Sequence, residues 1–107
     1  MRTLCVDIDG VLTRDWKSMD FENRRPHKTN IARLADVYAT GMVQVVLWTA
    51  RPGSIRKQTV KWLEDNNVSY HELWMDKPSF VAIVDDRSMT SVPTAKQLTE
   101  LRGWDLV

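Results

Sequence analysis

One cysteine, Cys5, is all this chain of 107 residues has. It can form no internal disulfide, and a lone thiol inside an apolar run reads as buried core filling in a protein of a reducing compartment. Long apolar runs are missing as well. Nothing approaches the roughly 20 residues that span a bilayer, and Asp7 and Asp9 stand where a secretory leader would carry its apolar stretch. The expectation is a soluble cytoplasmic protein with no membrane partner. A charge excess is lacking too: the formal net charge is +1, so attraction to nucleic acid would have to come from a local patch. No repeat, low-complexity tract or linker interrupts the chain. Its 107 residues suffice for a single domain, 1–107, but not for a separate substrate-binding domain. The glycine-rich phosphate loops of dinucleotide and nucleoside-triphosphate sites are also absent.

What is present begins with four short apolar runs: Thr3 to Ile8, Val43 to Trp48, Ser69 to Trp74 and Phe80 to Val84. The first, second and fourth are nearly continuous Val, Ile, Leu and Trp, the pattern of strands buried on both faces. The third is more mixed and suits a sheet edge. Helical spacing fills the gaps. Ile31, Leu34, Ala35 and Tyr38 predict a helix from about Thr29 to Thr40, stopped by Gly41. Ile55, Val60, Trp62 and Leu63 predict a second from Ser54 to Asn67. A third is expected from Pro93 to Arg102, before Gly103. Strands alternating with helices give an α/β fold, a three-layer Rossmann-like parallel sheet with right-handed crossovers. The polar segment from Gly10 to Lys28 is expected to be a loop or small flap.

Ligands of such sheets bind beyond the carboxyl ends of the strands, and the chemistry-bearing residues stand there. In Cys5-Val-Asp-Ile-Asp-Gly-Val-Leu-Thr13, two carboxylates one residue apart point the same way while Ile8 points inward. An acid at the mouth of an apolar strand is costly unless it is paired or holds a metal. A calcium loop would need further oxygen ligands and a late Glu, and would not follow a buried strand. Val45-Val-Leu-Trp-Thr-Ala-Arg51 ends the second run in a hydroxyl. Thr49 either caps the next helix or, with the N–H groups beyond it, holds a phosphate. Lys77 precedes the fourth run, and Asp85 and Asp86 follow it. Two adjacent acids repel, and a cation lying between them and the first pair resolves the repulsion. Hard oxygen donors without His or Cys point to Mg²⁺ rather than zinc.

Taken in order, Asp-x-Asp-Gly, Thr, Lys and Asp-Asp resemble the four signature motifs of the haloacid dehalogenase superfamily of phosphotransferases, spanning Asp7 to Asp86. The resemblance implies a Mg²⁺-dependent phosphatase with Asp7 as nucleophile and Asp9 as general acid and base. Thr49 and Lys77 then hold the phosphate, with Gly10, Ala50, Arg51 and Arg87 around it. The metal is held by the carboxylate of Asp7, the backbone carbonyl of Asp9, and Asp85 with Asp86. Val11 stands where the commonest first motif has Thr, a variant similar to small sugar-acid phosphatases of the superfamily. About 30 residues separate Gly10 from the second run, too few for a cap domain. Capless members act on macromolecules or borrow a lid from a neighbouring subunit. The stretch Val84-Asp-Asp-Arg-Ser also resembles the phosphatase half of phage polynucleotide kinase-phosphatases.

The substrate is thus expected to be a phosphomonoester, either on a nucleic-acid end or, alternatively, on a small sugar acid or nucleotide handled by a homo-oligomer. A receiver domain uses similar parts in a different order, its acid pair after the first strand and its Lys after the last. A fold relic that binds without catalysis would not need every motif residue. Arg24, Arg25, His27 and Lys28, with Arg51, Arg56, Lys57 and Arg87, form either a solvated surface or a groove for a polyanion. Trp16 and Phe21 either stack on a base or sugar, or anchor the loop.

Overall fold

The computed structural model describes residues 2–15, 20–78, 80, 82–88 and 90–101. Three parallel strands, β1 (Arg2–Val6), β2 (Val43–Trp48) and β3 (Glu72–Trp74), form a sheet in the order β1-β2-β3. Helix α1 (Lys28–Ala39) connects the first two strands, and α2 (Arg56–Asp65), entered through a 3-10 turn at Gly53–Ile55, connects the next two. A short α3 (Ala95–Thr99) follows late in the chain. This is the expected α/β alternation. The chain divides into two compact units, Met1–Lys77 and Pro78–Val107.

In the first unit β2 occupies the centre, and there the apolar run does what it predicts. Val45, Val46 and Leu47 are at most 1% exposed. Register pairs Val6 with Leu47 and Trp48 with Trp74, so all three strands end at one edge of the sheet. Ile8, Leu12, Ile31, Leu34, Leu63, Trp62 and Leu73 pack with Val45 and Leu47 into the core. The helix boundaries follow local chemistry. His27 Nδ1 accepts the Asn30 N–H at 3.2 Å to cap α1, and Gly41 takes φ +68° just beyond its end, a conformation that costs a side chain about 1–2 kcal/mol. The Asn30 side chain donates to Val11 O at 2.9 Å, tying the start of α1 to the turn after β1.

Two expectations of burial fail. Arg2, Thr3, Leu4 and Cys5 are all exposed, because β1 stands at an edge of the sheet rather than inside it. Cys5 is therefore a surface thiol, not core filling. β3 is an edge strand as its mixed composition predicts, but it is shortened to three residues. The described residues between Gly10 and His27 close on each other through a Thr13–Pro26 bridge and the Arg14 N–H donated to Arg25 O at 2.9 Å, the base of the expected flap. Trp16 lies outside the described residues.

In the second unit the fourth run does not form a buried strand among the described residues. Phe80, Ile83 and Val84 are 43%, 44% and 45% exposed, so their apolar faces lack the covering layer that a buried strand requires. Val81 lies outside the described residues. α3 starts where Pro93 predicts, with a capping box: Thr94 Oγ1 accepts from the Gln97 N–H at 3.2 Å and Gln97 Oε1 accepts from the Thr94 N–H at 3.0 Å. It stops at Thr99 with Glu100 as its C-cap, three residues short of the expected end at Arg102, which itself lies outside the described residues.

Candidate active site

The end of β1 delivers Asp7, and the chain then turns at once. Ile8 O accepts the N–H groups of Val11, Leu12 and Thr13, while Gly10 takes φ +89° within that turn and donates its own N–H to Thr13 Oγ1 at 3.1 Å. Ile8 is fully buried, so the intervening apolar residue anchors a carboxylate on either side of it. Asp7 Oδ1 accepts the Ile8 N–H at 2.8 Å and lies 3.2 Å from Lys77 Nζ. Lys77 reaches this position from beyond β3. Its N–H donates to Thr49 O at 2.9 Å, and the Thr49 N–H donates to Trp74 O at 2.9 Å. Residues 70 positions apart in the sequence (77 − 7) thus meet at one edge, as the topology requires. The Lys77 ammonium also lies over the Trp48 ring, 5.8 Å from its centroid.

Thr49 is 1% exposed and its Oγ1 accepts the Arg51 N–H at 3.1 Å. This is local capping of the loop that leads to α2. It sits beside the Asp7–Lys77 pair because β1 and β2 are neighbours in register. Asp76, at φ +59°, closes the same loop by accepting the Gly53 N–H at 3.1 Å.

Asp9 has a different environment. Arg51 Nε donates to its Oδ2 and Arg51 Nη2 to its Oδ1, both at 2.8 Å, a bidentate fork. Arg24 Nη1, from the flap, reaches the same Oδ1 at 2.8 Å. Both arginine side chains are almost fully buried, at 3% and 1% exposure. Arg51 Nη1 donates further to Thr59 Oγ1 at 3.3 Å, and Arg24 Nη1 to Asp15 O at 3.1 Å. Phe21 lies against both guanidinium groups, its centroid 4.6 Å and 4.8 Å from their central carbons. Two cations on one oxygen repel each other, and the shared carboxylate and the ring face offset that repulsion.

Spacing alone does not reveal this clamp. The sequence marks Arg24 as part of a surface cluster or polyanion groove and Arg51 as a phosphate neighbour; both guanidinium groups are turned onto Asp9. Phe21 anchors the flap here, the second of its two readings. Arg25 behaves as a surface residue. Its guanidinium pairs with Asp15 at 3.0 Å, which lowers the Asp15 carboxyl below its ordinary value and raises Arg25 above its own.

Asp85, Asp86 and Arg87 belong to the second unit. Asp85 Oδ1 accepts the Arg87 N–H at 2.9 Å and Asp85 O accepts the Ser88 N–H at 3.0 Å, making a turn capped by its own acid. That N–H, then a hydrogen bond with Asp86, and also the charge of Arg87 hold the Asp85 carboxyl below the usual carboxylate range, against a small opposing effect of burial. Among the described residues no three His, Cys, Asp or Glu side chains gather where they could hold a metal ion. None of the described helices is long and apolar enough to cross a membrane.

The fold itself is known from solved structures. A structural-genomics target from Vibrio cholerae shares it with a TM-score of 0.69 at 23% identity, over 94% of this chain and 95% of that one. A chain of the Pnkp1/Rnl/Hen1 complex shares it with a TM-score of 0.57 at 19% identity, over 92% of this chain and 33% of its own length. No protein-family model and no curated protein matches the sequence. At such identities the likeness is one of fold.

Proposed function

We propose that this protein is a capless phosphatase of the haloacid dehalogenase type, which hydrolyses phosphomonoesters through a covalent aspartyl-phosphate on Asp7. The observation that carries the reading is the Asp7–Lys77 contact of 3.2 Å at the strand edge where Thr49 also ends. A carboxylate nucleophile, an ammonium and a hydroxyl are the parts that phosphoryl transfer needs in one place.

Asp7 attacks phosphorus through a carboxylate oxygen as the bond to the leaving oxygen breaks. Lys77 holds Asp7 before substrate arrives and then neutralises charge on the phosphoryl oxygens. Thr49 hydrogen-bonds the same group. Asp9 gives a proton to the leaving oxygen, then takes one from the water that hydrolyses the acyl phosphate. Asp9 Oδ2 accepts Arg51 Nε through one lone pair, and the proton is carried on the other.

The donors that the first unit itself offers, the Asp7 carboxylate and the Asp9 carbonyl, are hard oxygen, which fits Mg²⁺. Bound there, Mg²⁺ would neutralise charge on the transferring phosphoryl group. With too few residues between Gly10 and β2 for a cap domain, the reading favours a large substrate that covers the site itself, such as a phosphorylated nucleic-acid end. The sequence resemblance to phage polynucleotide kinase-phosphatases supports this substrate.

The test is hydrolysis of an aryl phosphate with Mg²⁺ and with excess chelator, together with mass spectrometry of Asp9→Asn after incubation with substrate. Mg²⁺-dependent turnover and a phosphoryl adduct on Asp7 are expected. Full activity in chelator, or an adduct on another residue, would overturn the mechanism.

A further inference from the structure

Two residues other than glycine hold a positive φ among the described residues, Asn67 at 56° and Asp76 at 59°. Asn67 stands just past the end of α2, where that conformation is the usual helix stop. Asp76 ends no helix. It follows the last residue of β3 by two and immediately precedes Lys77. A side chain in this region of φ persists only where its surroundings hold it there.

Three contacts do so. The Asp76 N–H donates to Arg51 O and the Lys77 N–H to Thr49 O, both at 2.9 Å. The Asp76 carboxylate accepts the Gly53 N–H, at 3.1 Å on Oδ1 and 3.2 Å on Oδ2. The loop that carries Lys77 is thereby stitched to the loop that follows β2. The fit on the carboxylate side is close, since a Cβ on Gly53 would lie 3.0 Å from Asp76 Oδ2. After Lys77 the chain continues as Pro78, which has no N–H to donate. The backbone of Lys77 is therefore fastened from the Asp76 side. Its side chain is 13% exposed and ends 3.2 Å from Asp7 Oδ1.

We propose that Asp76 is a positioning residue for Lys77: its carboxylate, held on Gly53, fixes the turn from which the ammonium reaches Asp7. The proposal concerns placement, and it rests on the phosphatase reading only for its kinetic consequence. Under that reading a displaced ammonium neutralises the transferring phosphoryl group less well.

Asp76→Gly is the sharpest variant, because glycine takes φ +59° freely and only the carboxylate is lost. Asp76→Asn keeps an acceptor and tolerates the same φ. Gly53→Ala presses on the same contact from the other loop. The first measurement is acylation of lysine amines in the whole protein, read residue by residue by mass spectrometry, with the exposed Lys57 as reference. Relative to Lys57, labelling of Lys77 is expected to speed up at least about threefold in Asp76→Gly and in Gly53→Ala, as local order is lost. The second is turnover of an aryl phosphate with Mg²⁺. In the same two variants kcat should fall about tenfold with KM within about twofold, the pattern of an interaction made in the transition state. Asp76→Asn should stay within about twofold of the unaltered protein in both measurements. Circular dichroism checks folding, and if Asp76→Gly does not fold, Gly53→Ala decides by the same readouts. Faster labelling with no turnover in the unaltered protein upholds the placement and removes the phosphatase reading alone. Unchanged labelling overturns the proposal even if kcat falls, since Asp76 would then act other than through Lys77. An Asp76→Asn variant as impaired as Asp76→Gly overturns it too, because the acceptor would not be what matters.

Discussion

Two acidic pairs of this chain, Asp7 with Asp9 and Asp85 with Asp86, are satisfied by opposite means. Asp9 of the first pair is gripped by two buried guanidinium groups from distant parts of the sequence, and its neighbour Asp7 meets an ammonium from beyond β3. Asp85 of the second pair is satisfied by the N–H two residues on, inside its own turn. The first arrangement exists only when the fold of the first unit is complete; the second is available to a four-residue segment. Long-range pairing fixes a carboxylate's direction, which a nucleophile and a proton carrier need. A local turn leaves the acid's outer face available for a ligand.

The sharpest break of this comparison is Asp7→Asn. An amide cannot serve as the nucleophile, so turnover of an aryl phosphate should fall by at least about 10³-fold, roughly 4 kcal/mol of barrier, with circular dichroism unchanged. Substantial residual turnover would remove Asp7 from the reaction.

Asp9→Ala comes next, and it acts on stability. It leaves Arg24 and Arg51 buried side by side without their carboxylate, and removing one partner of a buried ion pair typically costs about 3–5 kcal/mol. Urea unfolding measures this, and an unchanged midpoint would show that the clamp does not form. Asp85→Ala should leave the midpoint where it is and instead raise the Mg²⁺ concentration needed for activity. If the two variants behaved alike in unfolding, the contrast between the pairs would be lost.

The smallest effect is the pH dependence of the exposed turn. The Asp85 carboxyl is held below its ordinary value when folded, so its contribution is present at neutral pH and is lost as pH falls through the folded value, below about pH 4. The difference in stability between the unaltered protein and Asp85→Asn should be small at pH 7 and vanish in that acid range.

How far the sequence discloses all this depends on the distance over which each feature is decided. β2 and α1 are legible almost to the residue, because burial on both faces and a 3.6-residue period are local signals carried by Val43–Trp48 and by Ile31 and Leu34. The strand-end positions of Asp7 and Thr49 are legible too, since parallel topology sets them side by side, whereas Lys77 is marked by the sequence only as preceding the fourth run. β1 misleads: Leu4 is as apolar as Val45, yet its exposure depends on which strand lies in the middle, and composition carries no record of strand order. The Asp9 clamp is illegible for a related reason. Its partners come from a flap without periodicity and from 42 residues further on, and an arginine looks the same whether it faces solvent or a carboxylate.

One contact at the rim of this sheet has a use of its own. His71 donates its N–H to Val45 O and accepts the Val45 N–H on its Nδ1, each at 2.9 Å, while its ring stacks on Tyr38 with centroids 4.5 Å apart. The amide of Val45 is therefore held by a side chain, although its neighbours along β2 are held by main-chain oxygens. In deuterium exchange it should lose protection in His71→Ala while the rest of the strand keeps it, which would make it an internal reporter of whether the sheet's centre or only its fastening has opened.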